Sequence, residues 1–194
     1  MTLFQAFGQF AGQAAAALPE AMVLMTPTSV SVTGGSASIV GNGQVTFSAI
    51  SVLNVDGVFT SEFRNYIISY QGTITSSNVC MRMRVGGVQN STNYLSQYLV
   101  VSGSTLSRNL EGASATRTFI GGSSNPAGAT IHVYRPNIAA ITNFRTIGSS
   151  QAGGISMEER MNHHDVATAY DGFNMLPLST GTLSGKLQVY GVRC

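Results

Sequence analysis

The feature that most constrains the fold is a change of texture after Pro27, where short alternating apolar and polar runs are separated by clusters of glycine, asparagine and serine. Side chains of a β-strand alternate between two faces, and glycine and asparagine supply the positive φ angles of tight turns. No helical periodicity of useful length follows residue 30. The pattern predicts an all-β protein, an antiparallel β-sandwich or jelly-roll-like domain.

The clearest predicted strand runs from Val79 to Val85, where we expect one core face and one polar face that carries Cys80, Arg82 and Arg84. A hairpin is predicted over residues 30–47, with glycine turns near residues 34 and 42. The other predicted strands are Tyr66–Ile74, Tyr94–Val101, Thr116–Ile120, Ala129–Tyr134, Phe144–Ser149, Ile155–Met161, Phe173–Leu176 and Leu187–Val192.

The N-terminal segment differs from the rest of the chain, and we expect residues 1–28 to form an arm and residues 29–194 the β-sandwich domain. Its apolar residues recur at three- and four-residue spacing, which would place them on one stripe of a helix that ends at Pro19. We predict that this stripe docks on a neighbour; packing on its own domain and a frayed tail are the alternatives. The stripe consists of Phe4, Phe7, Ala11, Ala14, Ala15 and Leu18.

Charge is sparse, at 9% of residues, and the net charge is only +2. A polar but weakly charged surface costs little to desolvate, which favours burial against other subunits and predicts a homo-oligomer. The basic residues are dispersed along the chain, which argues against nucleic-acid binding. The glutamines and glycines of the first 18 residues argue against a transmembrane span. We expect Cys80 and Cys194 to be free thiols of a protein assembled in a reducing cytoplasm.

The densest group of ionisable residues lies between Ile155 and Asp165. Glu158 paired with Asp171 would suggest a hydrolase, and His163, His164 and Asp165 would suggest a metal site. Adjacent residues of a strand, such as Glu158 and Glu159 or His163 and His164, point to opposite faces, however, so neither pair converges readily on one site. We therefore predict a polar contact edge, solvated or facing a subunit, formed by Glu158, Arg160, His163 and His164. Nucleophile and phosphate-binding motifs are missing, so we expect no enzyme, no catalytic or metal residues and no cofactor.

Four segments carry a resemblance to a protein family. The first contains Phe-Thr-Ser-Glu-Phe-Arg-Asn-Tyr, which is similar to a recurring Phe-Thr-Ser-x-Tyr-x-Asn-Tyr turn, with Phe63 in place of the usual tyrosine. The chain resembles virion structural proteins of tailed bacteriophages of cyanophage and marine-phage type, described as head-decoration or tail-fibre-like. The resemblance covers Val45 to Cys194 and implies a β-sandwich, often in symmetric oligomers, without catalysis. Its segments are 47–68, 81–87, 134–145 and 170–191.

Two functional hypotheses follow for a virion protein assembled in the host cytoplasm. The favoured one is a capsid decoration or cement protein on the head surface, held by repeated contacts with the major capsid protein and with its own copies, as a trimer. The alternative is a tail or tail-fibre component, bound to other tail proteins, that recognises a host-surface glycan through tyrosines. The short chain favours decoration, because a complete fibre usually needs a long shaft as well.

Overall fold

The computed structural model describes residues 21–75, 78–121, 127–150 and 156–193, and these form two packed antiparallel β-sheets. The prediction of an all-β sandwich is confirmed. The strands are β1 (Met22–Leu24), β2 (Ser29–Thr33), β3 (Ser36–Val40), β4 (Gln44–Ile50), β5 (Val52–Asp56), β6 (Asn65–Ile74), β7 (Val79–Val85), β8 (Val88–Gln89), β9 (Tyr94–Ser102), β10 (Thr105–Ala115), β11 (Thr118–Gly121), β12 (Ala127–Tyr134), β13 (Ala140–Ser150), β14 (Ser156–Thr168), β15 (Gly172–Pro177) and β16 (Leu183–Val192).

The two sheets differ in width. The large sheet has ten strands in the order β10-β9-β14-β13-β12-β6-β16-β4-β3, with β1 paired to β16. The small sheet has six strands in the order β11-β7-β15-β5-β2, with β8 paired to β7. At one end the small sheet stops at β11, which packs over β9, β12, β13 and β14. The large sheet therefore carries its edge strand β10 beyond the last strand of the small one.

The core fills the space between the sheets. Leu53, Met83 and Phe173 of the small sheet belong to the same buried cluster as Ile68 and Val189 of the large sheet. These side chains occupy alternate positions of their strands, as a period of two requires. Each fully buried apolar side chain of this size stabilises the fold by roughly 2 kcal/mol.

The strand at Val79–Val85 has the predicted bounds, but the face that was expected to be polar is largely buried. Cys80, a free thiol, is fully buried and packs with Phe119 and Leu176 in a second apolar cluster. Arg84 is also buried, because it forms an ion pair with Asp56. Both faces of this central strand are thus covered.

Glycine turns place the first strands in different sheets. The predicted hairpin is confirmed between β3 and β4, which pair in register across the turn at residues 41–43. β2 instead pairs with β5 in the small sheet, so Gly34 and Gly35 carry the chain from one sheet to the other. Both adopt positive φ angles, 72° and 51°. The part of the hairpin prediction that included β2 is therefore wrong.

The boundary expected between arm and domain also needs correction. Residues 1–28 were expected to form the arm, but β1 within this range pairs with β16, so that Met22 lies opposite Val192 and Leu24 opposite Tyr190. The sandwich therefore includes residues from Met22 onward. Phe4, Phe7, Ala11, Ala14 and Leu18 lie outside the described residues.

Candidate functional site

The most prominent surface feature lies on the face of the large sheet that points away from the small sheet. Its strands β9, β10, β13 and β14 present large apolar side chains that are between 37% and 67% exposed. We call this set the outer apolar face. It consists of Leu99, Val101, Leu106, Leu110, Ile147, Met157 and Met161.

Strand register brings these side chains together from distant parts of the chain. Val101 pairs with Leu106 on one side and with Met157 on the other, so the three form a continuous apolar row. Two rows further along the same face, Gln97 on β9 lies between Leu110 on β10 and Met161 on β14. Rows on one face of a sheet are about 6.8 Å apart, which lets their side chains contact one another.

The row between these two carries Arg108 and Glu159, and Arg145 lies beside Met161 in the row of Gln97. Leu99 lies between Arg108 and Glu159, and Glu159 lies opposite Ile147. An oxygen of Glu159 is 2.8 Å from a guanidinium nitrogen of Arg145, and both side chains are more than 40% exposed. The charge of Glu159 is therefore neutralised within the subunit, and a partner would meet a mostly apolar surface.

The outer apolar face extends over four strands and three rows. At about 4.8 Å per strand and about 6.8 Å per row, this region covers roughly 400 Å², and seven of its twelve positions are apolar. Contiguous apolar patches of a few hundred Å² on soluble proteins commonly mark interaction sites. The four strands that carry the face lie at the end of the sheet that includes the edge strand β10. This geometry suits binding of another protein surface.

The opposite, inward face of β14 is unusual because its buried residues are polar. Ser156, Arg160, Asn162 and His164 are each less than 10% exposed, and the side chain of Glu158 is 12% exposed. β14 lies between β13 and β9 and is not an edge strand. The prediction of a solvated polar contact edge is therefore wrong for Glu158, Arg160 and His164, because these side chains point into the sandwich.

The side chain of Arg160 lies on the inward face of β14, against the end of the small sheet at β11. Its Nε and Nη2 donate hydrogen bonds to Glu158 Oε2 at 3.1 and 2.8 Å. Its guanidinium carbon lies 4.0 Å from the centre of the Tyr98 ring and 5.0 Å from that of Phe119. Arginine held between aromatic faces gains a cation–π attraction. The Glu158–Arg160 pair thus packs against the interior and offers no open surface to a substrate.

A second inward cluster centres on His164, which is fully buried. Its ring stacks on Tyr94 with 4.2 Å between centres and lies 5.4 Å from the ring of Tyr170. Its Nδ1–H donates to the carbonyl of Asn93 at 3.2 Å. Burial lowers the pKa of His164, because the charged imidazolium loses its water, and the Asn93 contact opposes this only in part.

Tyr94 ties this cluster to the small sheet. Its hydroxyl accepts a hydrogen bond from the Met83 amide at 2.8 Å and donates one to the Asn90 carbonyl at 3.0 Å. Burial raises the pKa of Tyr94 above its ordinary value of 10.0. The phenol is therefore a neutral structural group that joins β9 to β7.

A third polar network, which the sequence pattern did not indicate, joins two strands of the small sheet. Arg84 on β7 donates from Nε to Asp56 Oδ1 at 2.7 Å and from Nη2 to Asp56 Oδ2 at 3.2 Å. Its Nη1 donates to Asn54 Oδ1 at 2.8 Å, and Gly87 supplies a further acceptor. Asn54 and Asp56 lie on β5, and β5 and β7 both pair with β15, which brings these residues within reach of Arg84.

The structure separates the residues of the hydrolase and metal hypotheses. His163 lies on the outer side of β14 and His164 on the inner side, as the period of two predicts. Glu158 belongs to the large sheet, whereas Asp171 precedes β15 of the small sheet and accepts a hydrogen bond from the Gly86 amide. Within residues 21–75, 78–121, 127–150 and 156–193, no group of three His, Cys, Asp or Glu residues has metal-binding geometry.

Comparison with known proteins identifies no family: no protein-family model and no curated protein matches this chain. Among the described residues there is no helix of sufficient length and hydrophobicity to cross a membrane.

Proposed function

We propose that this chain is a non-enzymatic structural protein of a bacteriophage particle, a capsid decoration or cement protein that binds the head surface and its own copies. The observation that carries the proposal is the outer apolar face, which leaves seven large apolar side chains on one side of a sheet. Binding through this face buries apolar surface, and the charge of Glu159 is already paired with Arg145.

Composition and sequence resemblance support the same function. Only 9% of the residues are charged, which suits a subunit whose surfaces become interfaces when many copies assemble. The segments similar to virion structural proteins include all of β5 and β15, most of β7 and β16 and the first four residues of β6, which are inner strands of the two sheets. The resemblance therefore concerns the part of the chain that builds the sandwich.

A tail or tail-fibre adhesin is the alternative within the same class of virion protein. It would use exposed tyrosines to stack on sugars; Tyr134 is 36% exposed, but Tyr66, Tyr70, Tyr94 and Tyr170 are each no more than 1% exposed. Burial raises the pKa of Tyr70 to about 12, so this phenol stays neutral inside the sandwich. The burial of these four side chains favours decoration over glycan binding.

Immunogold labelling of intact virions with antibody against this chain tests the proposal. We expect label over the whole head. Label confined to the tail would replace decoration with the adhesin, and the next experiment would then be sugar competition of host-cell adsorption. Virions without label, produced by cells that express the chain, would refute a virion function of either kind.

A second experiment tests the surface itself. Adding purified full-length chain to particles that lack it should restore labelling, and the variant Leu99→Asp with Met161→Asp should not. Val88→Asp is the matched control, because Val88 is 68% exposed but lies on β8 of the small sheet. Equal binding of both variants would exclude the outer apolar face as the binding surface. Circular dichroism verifies that each variant is folded.

A further inference from the structure

We infer that the outer apolar face receives residues 1–20 from a neighbouring copy of this chain. This inference rests on the proposed function in one respect, since assembly on a particle brings copies side by side. It adds the identity of the segment that covers the face.

The chemistry of the two partners matches. Glu20 is the first charged side chain of the sequence, and the preceding residues include Phe4, Phe7 and Phe10. Burying such a segment requires no charged side chain to lose its water, and each phenylalanine contributes a large apolar area. The face also carries Arg108 and Glu159 beside Leu99, and residues 1–19 bring no charged side chain that would need a partner there.

The direction of β1 shows where the preceding residues leave the sandwich. Leu24 lies in the same register row as Met161, through pairs that cross β16, β6, β12 and β13. Met22 lies one row further on, with Val192 and Asn65, and the Ala21 carbonyl accepts a hydrogen bond from the Arg193 amide at 3.1 Å. Towards its start, the chain therefore runs away from the rows of Leu99 and Val101.

This direction favours docking on a neighbour over docking on the same subunit. β1 is separated from β9 by six strand spacings, about 29 Å at about 4.8 Å each. Twenty residues span at most roughly 70 Å when extended and about 30 Å as a helix. The segment is thus long enough to reach its own face or that of an adjacent copy, and the direction of β1, away from the rows of Leu99 and Val101, favours the adjacent copy.

The shape of the face provides two depressions for apolar side chains. One, of about 390 Å³, is lined by Leu99, Met161, Arg108 and Glu159 among others. The other, of about 360 Å³, lies beside Ile147 and Met157, where Gly128 has no side chain to fill the surface. Unbranched methionines at the rims adapt readily to an incoming aromatic ring. The face therefore provides separate depressions for the spaced phenylalanines of such a segment.

Site-directed crosslinking of the full-length chain tests the inference. In a Cys194→Ser background, which leaves Cys80 buried, one tagged copy carries Phe7→Cys and a differently tagged copy carries Met161→Cys. We expect a disulfide between the two tags under mild oxidation. The control pair replaces Met161→Cys by Val88→Cys, an equally accessible position on the small sheet. The expected crosslinking yield is at least tenfold higher for Met161→Cys than for Val88→Cys.

The outcomes separate this inference from the proposed function. Equal crosslinking yields at Met161 and Val88 would overturn docking on a neighbour. So would a disulfide that forms only within one chain, in a variant that carries both Phe7→Cys and Met161→Cys. The same follows if light scattering finds that Phe7→Asp leaves the oligomeric state unchanged while Leu106→Asp disrupts it, because the outer apolar face would then join the copies without residues 1–20. None of these measurements uses virions, so immunogold labelling of heads stands or fails independently.

Discussion

The rings of Tyr94 and His164 stack with 4.2 Å between their centres and an angle of 9° between their planes. The contact with the Asn93 carbonyl requires the hydrogen on Nδ1, so Nε2 of the neutral ring carries none. Nε2 is buried and has no hydrogen-bond partner. A proton added there would place a charge and an unsatisfied donor inside the sandwich.

We expect this arrangement to make the fold sensitive to acid. The pKa of His164 in the folded chain lies below its ordinary value of 6.5, so between these two values the unfolded chain binds more protons than the folded chain. The free energy of unfolding should therefore decrease as the pH falls below 6.5 and reach its lower limit below the folded-state pKa. Urea titrations at a series of pH values measure this slope.

The variant His164→Phe should lose that part of the pH dependence, whatever its effect on stability at neutral pH. His163→Gln is the matched control, because it alters the neighbouring position on the other face of β14 and retains His164. An unchanged slope in His164→Phe would show that another group titrates.

The buried ion pair of the small sheet should contribute more than an exposed one. Arg84→Met removes the bidentate partner of Asp56. The Asp56 side chain is only 16% exposed, so its charge would stay largely buried and unpaired. We expect a loss of about 3 kcal/mol in the free energy of unfolding. Arg145→Met, which removes the exposed pair with Glu159, should cost less than about 1 kcal/mol. Denaturant titration compares the two, and equal losses would mean that burial of Arg84 does not strengthen its pair.

The Glu158–Arg160 pair should show strong non-additivity. Glu158→Leu or Arg160→Met alone leaves one buried charge without a partner and should cost about 3 kcal/mol or more. The double variant removes both charges and should be more stable than either single variant. A thermodynamic cycle from urea unfolding measures the coupling. Losses that simply add would show that the two charges act independently.

The crossing between the sheets at Gly35 should tolerate no side chain. A Cβ at Gly35 would lie 1.9 Å from the Ser48 carbonyl oxygen, in addition to the strain of its φ of 51°. Gly41 has a similar φ of 60°, but a Cβ there would meet no atom within 4 Å. Gly41→Ala should therefore cost about 1 kcal/mol from backbone strain alone. Gly35→Ala should cost at least about 2 kcal/mol more. Similar losses in denaturant titrations would exclude the clash as the cause.

The period of two in the amino-acid sequence was sufficient to locate most strands of both sheets. β6, β7, β12 and β15 all coincide with predicted runs because their apolar residues alternate. β10 was missed, because serine, arginine, asparagine and glutamate break its pattern. The β10 strand forms by hydrogen-bonded pairing with β9, which the alternation of its own residues does not indicate.

The sequence by itself also determined which residues of β14 share a face, since alternation assigns Glu158, Arg160 and Asn162 to one side of any strand. Only the tertiary structure decided which side that is. Polarity suggested solvent, but β14 lies between β13 and β9, and its polar face turns inward against Phe119 while Met157 and Met161 turn outward. A pattern of two faces carries no information about strand order, and burial depends on strand order because it sets what lies opposite each face.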